Sequence, residues 1–463
     1  MSAGANGATN AGGNDAASAG VRRAARALAL LAALAMAAPC AAQVPPAPAP
    51  PDTAFGRYLE TLSDSTDRYF GIAAEPVDTV GLDTVLASHG ATTHPFGFTV
   101  MPAFSFTRVD GPVPGVSASI SGSDDPMHPG FGTLGGKLAY ATGPNDWMGY
   151  GRYHERLFLG VHAFDVQLWA GRATAFMNRD RDSRYLDTWR AFVWGGDGAH
   201  YLRHDGFAAA LEHDSGPWRA TLGFRDVLES PRDVSASWNL LGRRLVVPFN
   251  LAAARGRTHE LALDADARWH LVRGEAQGWL SNAGLGSDFD YRRVRVAAGA
   301  ELPLGRTLAL VPQAAYGRLR GDALPQQAFY LGGGPTLRSL PRDDRGGTTL
   351  ALARVDAVLA KDLLSLAHVE DSGALPLRLG VFAAAGAVRG PDPYGGGDAD
   401  GDWPRRAAWR SELGASLQYD TALLENGSFL RWSVAWAVGP GAGRPRVSVV
   451  LSRALDLLRA PAQ

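Results

Sequence analysis

The stretch ELALDADARWHL, Glu260 to Leu271, sorts its residues into two faces. Leu261, Leu263, Ala265, Ala267, Trp269 and Leu271 fall on one; Glu260, Asp264, Asp266, Arg268 and His270 fall on the other. A period of two is that of a β-strand. One face is wholly apolar and the other heavily charged, and the question is which of them meets solvent.

Neighbouring stretches repeat the pattern. RVRVAAGAEL sets Val294, Val296, Ala298, Ala300 and Leu302 against Arg293, Arg295 and Glu301. WRSELGASLQY separates Trp409, Leu413, Ala415, Leu417 and Tyr419 from Arg410, Glu412, Ser416 and Gln418. LRWSVAWAV separates Leu430, Trp432, Val434, Trp436 and Val438 from Arg431 and Ser433, and WRATLGFRD, Trp218 to Asp226, follows the same rule. Such runs are about ten residues long, the length a tilted transmembrane strand needs. A soluble β-sandwich or β-helix also alternates, but shares its apolar faces in one core. Here charge recurs on one face of strand after strand, and Trp218, Trp269, Tyr291, Trp409 and Tyr419 recur near strand ends, as an interfacial girdle requires. The expected fold class is all-β, a transmembrane antiparallel β-barrel.

Five strands are expected near the carboxyl end, at 347–362, 374–387, 405–420, 428–438 and 444–455. Ten more are expected between 114 and 320, with FGFTVMPAFSFTRV from Phe96 as an eleventh. Bacterial barrels close with an even number, so sixteen is the expected count, with twelve as the fallback. If the first strand starts in the periplasm, the connections at 321–346 and 388–404 lie outside the cell, and 363–373 and 421–427 inside. DTWRAFVWGGD, Asp187 to Asp197, breaks the alternation and suits a helical insertion in a connection.

Bulk composition by itself points elsewhere. The chain has 463 residues, 46% hydrophobic, with a net charge of −1 and a mean hydropathy of −0.10, values ordinary for a soluble protein. No block of like charge calls for nucleic acid or a polybasic membrane contact. Past the amino end no run of 18 apolar residues offers a transmembrane helix. VRRAARALALLAALAMAAPCAAQ, from Val21, has the basic, apolar and small-residue zones of a signal peptide. Cys40, the single cysteine, suggests a lipoprotein box, but Pro39 before it favours cleavage after Ala42. Residues 1–42 are thus the expected leader and signal peptide, and 43–96 a proline-rich linker (VPPAPAPPD) with a short periplasmic segment. The barrel is expected over 97–457 and a tail over 458–463. Export without a helical anchor leaves a soluble periplasmic or secreted protein or an outer-membrane barrel; the strand pattern selects the barrel, expected in the outer membrane of a Gram-negative cell, in contact with its lipid and monomeric.

The stretch FYLGGGPTLRSLPRDDRGGTTLALARVD, Phe329 to Asp356, then falls in a long external loop feeding the fifth strand from the end. Here the sequence resembles the bacterial surface antigen superfamily, whose barrels include BamA-type insertases, TamA-type translocation barrels and transporters of two-partner secretion. The resemblance implies a sixteen-stranded barrel with one long external loop folded into the lumen. In that family the loop has a Gly-Gly approach and an apolar-Arg-Gly-aromatic tip, the next strand Glu-x-Arg, and the one after that aromatic-x-Asp-x-Gly. The matching residues are Gly332, Gly333 and Gly334 in LGGG, then Leu337, Arg338, Ser339 and Leu340. Phe382 and Gly386 match the second strand motif. The departures are Ser339 for the glycine, Leu340 for the aromatic and Ala384 for the aspartate; Arg354 and Asp356 carry the strand charges in reverse order. A guanidinium in a lumen wants a carboxylate. Asp356, on the same face as Arg354, is the replacement partner that sequence offers Arg338; a water-solvated Arg338 is the other reading. FTRVDG, Phe106 to Gly111, resembles the lead-in to the first strand of short members, and GGDGAHYLRHDG, Gly195 to Gly206, their Asp-x-x-x-Tyr segment. The family's periplasmic docking repeats are longer than the chain between linker and barrel, so the likeness is to a short member without them.

Catalytic motifs are missing: there is no G-x-S-x-G, no H-E-x-x-H and no phosphate-binding glycine loop. GVSAS (Gly115 to Ser119) lacks the closing glycine, and HVEDSG (His368 to Gly373) reads as a polar periplasmic turn. DADGD, Asp398 to Asp402, has the opening spacing of a calcium loop, but Trp409 stands where the bidentate glutamate belongs. It reads as a solvated loop. Neither a cofactor, a metal nor catalysis is expected. The implied role is insertion, translocation or secretion of protein or lipid, with a protein client or periplasmic partner. The alternatives are a passive pore or structural barrel without a client, and a membrane hydrolase.

Overall fold

The computed structural model describes residues 97–452, apart from 123–131, 160–161, 180–187, 189–190, 194, 196–197, 237, 242–248, 306, 335, 360–362, 364–376, 421–428 and 440–443. These belong to the second of two compact units, Phe55–Gln463. The leader, the linker, His368–Gly373 and the carboxyl tail lie outside the described residues.

Strands follow one another in chain order: β1 (Gly97–Thr107), β2 (Gly111–Ser121), β3 (Thr133–Ala141), β4 (Asp146–Leu159), β5 (His162–Phe176), β6 (Tyr201–Asp214), β7 (Trp218–Pro231), β8 (Gly256–Trp269), β9 (Val272–Ser281), β10 (Tyr291–Ala300), β11 (Leu302–Leu304), β12 (Leu308–Gly321), β13 (Phe329–Leu331), β14 (Arg345–Gly347), β15 (Thr349–Leu359), β16 (Leu377–Arg389), β17 (Arg410–Asp420), β18 (Phe429–Val438) and β19 (Arg446–Ser452). All but β13 and β14 belong to one 17-stranded antiparallel sheet. Both β10 and β11 pair with β12 and are separated by Glu301 alone. Counting them as one stave makes sixteen among the described residues, the expected number. β13 and β14 form a separate ribbon.

The alternation read from Glu260–Leu271 now has a direction. Leu263 is 56% and Trp269 71% exposed, whereas Glu260 and Asp264 are buried. Val294 and Val296 face out while Arg293 and Arg295 are buried, and Leu413 faces out beside buried Glu412. A soluble protein does the reverse. Apolar residues outside and charges enclosed suit lipid around the wall and a polar lumen within, and closed sheets are the β-structures that satisfy every backbone group in lipid. No helix among the described residues is long and apolar enough to cross the membrane. The protein is a transmembrane antiparallel β-barrel. The long connections 177–200, 232–255, 322–348 and 390–409 share one edge, and the tight turns 215–217, 270–271 and 305–307 the other. By the usual asymmetry the first edge is external.

A charge set in the outward face tests this orientation. Val296→Arg, near the middle of β10, is expected to cost about 2–4 kcal/mol in folding into lipid vesicles, measured by denaturant titration. Val296→Leu serves as the control.

Three expectations need correction. Tyr291 is not part of an interfacial girdle: it lies on the face of Arg293 and is wholly buried, with its hydroxyl donating to Glu260. FTRVDG is not a lead-in to the first strand. It closes β1 and forms the turn into β2, held by Thr107 Oγ1 donating to Asp110 Oδ2 at 3.0 Å. DADGD is not a loosely solvated loop but a strap on the outer wall. Tyr316, Arg318 and Arg320 alternate with the buried, inward Leu319 on β12 and so face outward. The strap's carboxylates reach them: Arg318 Nη1 and Nη2 donate to Asp400 Oδ1 and Oδ2 at 2.6 and 2.8 Å, and Arg320 Nη2 to Asp402 Oδ1 at 3.0 Å. Thr349 Oγ1 donates to Gly401 O at 2.6 Å, and Arg389 Nε to Ala399 O at 3.0 Å. Within the β5–β6 connection, Thr188 and Ala191–Val193 are helical, where the alternation broke.

Asp400 also gives the strap a pH dependence. The Arg318 hydrogen bonds, helped by Thr348, hold its carboxyl well below the ordinary carboxylate range. A depressed carboxylate contributes stability above its unfolded value near 3.8 and loses it as pH falls toward the folded value. The strap is therefore expected to stay docked from pH 7 to pH 5 and to release in strong acid. Quenching of Trp403 fluorescence by aqueous iodide reads this, and Asp400→Asn should remove the transition.

Candidate functional site

The long connection 322–348 turns inward. Its ribbon pairs Tyr330 with Gly346, and Phe329, Leu331 and Leu337 are fully buried in a cluster with Leu350 and Leu352 of β15 and Ala384 of β16. These strand positions belong to the enclosed face, so the loop fills the lumen. Gly332 and Gly333 make the turn below the ribbon at φ of 120° and 94°, a region that side chains with a Cβ rarely enter. Gly386 lets the loop touch the wall, since a Cβ there would lie 3.0 Å from Leu331 Cδ1 and 2.7 Å from Leu352 Cδ1.

The loop tip is a charged cluster. Arg338 is buried, with Nη1 3.4 Å from Asp356 Oδ1 on β15 and its guanidinium carbon 4.2 Å from the centre of the Phe382 ring on β16. Arg431 Nη1 of β18 lies 3.7 Å from the same Asp356 oxygen. Arg354 Nη2 donates to Gly334 O at 3.4 Å and also to Thr336 O. The backbone N–H of Ser339 donates to Glu412 Oε2 of β17 at 2.6 Å. Leu340 packs against the loop's apolar cluster. Strands β15, β16 and β17 thus hold the tip, with Arg431 of β18 on the shared Asp356 oxygen.

The sequence-selected residues Leu337, Arg338, Arg354, Asp356 and Phe382 meet here, with Gly332, Gly333 and Gly386 shaping the approach. Gly334 supplies a carbonyl oxygen, and Ser339, which stands where the resemblance has the tip glycine, acts through its backbone N–H. Sequence reasoning did not assign Arg431 or Glu412 to the cluster. Both had been placed on polar strand faces, but their loop partners follow from the loop's path and not from strand periodicity.

Strands β7 and β10 hold the loop's base. Gln326 Nε2 donates to Glu229 Oε2 of β7 at 3.0 Å, and its Oε1 accepts from Ala254 N at 3.0 Å. Arg293 Nε donates to Gln327 O at 3.1 Å, with its guanidinium carbon 4.1 Å from the Phe329 ring centre and 4.6 Å from that of Trp279. Beneath them, Arg225 Nη2 lies 3.2 Å from Glu229 Oε1, and Arg179 Nη1 lies 2.9 Å from Glu260 Oε2. Asn178 Nδ2 donates to Asp343 Oδ1 at 2.7 Å. Tyr394 of the next external connection packs near Tyr330, and its hydroxyl lies 2.7 Å from His200 Nε2. Such contacts between β5–β7 and the loop that β15–β17 hold require the sheet to curl around it.

Chemically the site binds and braces. Its arginines are engaged with carboxylates, carbonyls and aromatic faces, arrangements that fix a segment in place. Among the described residues no group of three or more His, Cys, Asp or Glu is placed to hold a metal.

No protein-family model matches the chain, and no curated protein matches it in sequence. Solved structures do align with it. BamA from Haemophilus ducreyi lacking POTRA domains 1-3 is 13% identical, with 77% of this chain and 70% of that chain covered, at a TM-score of 0.48. CdiB from Acinetobacter baumannii is 10% identical over 77% of this chain and 59% of its own, at a TM-score of 0.37. CdiB from Escherichia coli is 12% identical over 78% and 62%, at a TM-score of 0.39. The chain spans less than two thirds of the length of either CdiB chain.

Proposed function

We propose that this barrel works without catalysis, in the insertion, translocation or secretion of protein or lipid at the outer membrane, with loop 322–348 as a latch that seals the lumen at rest. The observation that carries the reading is the tip cluster. Arg338 and the Ser339 N–H meet Asp356 and Glu412 on the wall, and Arg431 reaches the same Asp356 oxygen. Contacts of this kind are strong together and are lost together when one partner moves. A client that displaces the tip, or separates β15 from β18, would release the loop. The sequence resemblance to the surface antigen superfamily points the same way.

The base contacts favour a second reading, a structural barrel permanently plugged. Gln326, Arg293 and Asn178 fix the loop independently of the tip, which suits a plug that never leaves. Depletion in cells separates the two. The transport reading expects a fall in the abundance of at least one outer-membrane or secreted species, measured by quantitative proteomics and lipid analysis of membrane fractions. Unchanged levels of every such species after full depletion would leave the structural role.

A further inference from the structure

The outer wall beside the strap carries charges that neither the lumen nor the latch uses. Arg292 on β10 and Arg320 on β12 are directly opposite each other in the antiparallel register, both outward and exposed. Like charges at opposed positions repel and destabilise a sheet pair, unless an anion lies between them. Asp402 reaches Arg320 from the strap, yet both of these side chains remain about two-thirds exposed, at 67% and 65%. The strap then brings Arg405 and Arg406 to the same edge, both exposed. Arg405 Nη1 lies 3.6 Å from Asp398 Oδ1.

Height on the wall identifies what meets this patch. Below it, outward Val355 and Val381 are exposed to lipid. At the patch itself Tyr316 stacks on Trp403, with ring centres 5.8 Å apart and planes 14° from parallel, and Trp403 packs on Trp409 at 6.1 Å. Tyr316 Oη donates to Asp402 O at 2.7 Å. Stacked Tyr and Trp with one polar edge belong at the boundary of hydrocarbon and headgroup. Arginines just above an aromatic layer, on the lipid side of an external rim, sit at the level of outer-leaflet headgroups.

We propose that this rim is a binding site for a phosphorylated glycolipid of the outer leaflet, with Arg292, Arg320, Arg405 and Arg406 receiving its phosphates and Trp403 lying against its sugar or upper acyl region. Guanidinium matches phosphate in planar, two-point geometry. The strap contributes two of the four arginines and the ring, so docking by Arg318 and Asp400 assembles the site. The inference rests on the barrel and its orientation, not on the latch, and it holds whether or not the loop ever moves.

The test uses the full chain folded in detergent micelles. Bisphosphorylated lipid A, the same lipid after enzymatic dephosphorylation, and phosphatidylglycerol are titrated separately, with native mass spectrometry counting retained lipid. Bisphosphorylated lipid A is expected to bind at least about tenfold tighter than either comparison, tenfold being ~1.4 kcal/mol. Arg292→Gln with Arg405→Gln is expected to remove that preference while leaving heat-modifiable migration unchanged. Equal retention of phosphorylated and dephosphorylated lipid A by the unaltered protein would overturn the proposal without any variant. Equal retention of phosphatidylglycerol would also overturn it, by reducing the patch to a general anionic surface.

Discussion

Asp356→Asn should destabilise the folded barrel by about 3–5 kcal/mol, the cost of removing one partner from a buried ion pair. Arg338 and Arg431 both reach Asp356, and Arg354 projects from the same strand face two residues earlier. Glu412 is the other carboxylate at the tip, and it is already taken by the Ser339 N–H. With Asp356 neutral, the buried guanidiniums of Arg338 and Arg431 lose the carboxylate that both reach. The loop tip should then detach, which limited proteolysis in the 336–345 region would show. The unfolding temperature of the barrel band on unboiled gels should fall as well. Phe382→Leu is the comparison that keeps the ion pair: it removes the ring face under Arg338, worth ~0.5–2 kcal/mol, together with the ring's packing against Gly414. A variant that keeps its protease resistance and its gel transition would show that Asp356 does not hold the loop.

The second large effect concerns motion. Tethering the tip to the wall is expected to abolish the cellular role under the latch reading and to leave it untouched under the plug reading. The contact between the Ser339 backbone and Glu412 places these residues side by side. The chain has one cysteine, Cys40, far from the barrel in sequence, so Ser339→Cys with Glu412→Cys can be bridged selectively by a short bifunctional methanethiosulfonate. A bridged protein should reproduce the depletion phenotype, and a reducing agent should restore function. Each single-cysteine variant treated with the same reagent controls for the substitutions themselves.

Much of the fold was legible because alternation is a local property. Glu260–Leu271 shows two faces from sequence alone, and length with aromatic placement chose lipid for the apolar one. The strand count followed from repeating that reading. Tyr291 was misread because an aromatic at a strand end suits a girdle; only its register with Arg293 reveals that it faces inward. The site was legible in part for the same reason. Arg338, Arg354 and Asp356 lie close in sequence, and parity puts the last two on one face. Arg431 and Glu412 come from strands far along the chain, and nothing in their own neighbourhoods says which loop they meet. The strap was missed because Asp400 and Asp402 have their partners on β12, and an aspartate-rich loop without a visible partner reads as solvated.

Under the proposed function, loop 322–348 seals the lumen that it occupies. Planar-bilayer conductance of the purified protein, compared with a variant lacking residues 329–345, tests it most directly. The intact barrel should be closed or show only brief openings, and the deletion should give a large, steady conductance. A steady open pore in the intact protein, unchanged by the deletion, would contradict the account.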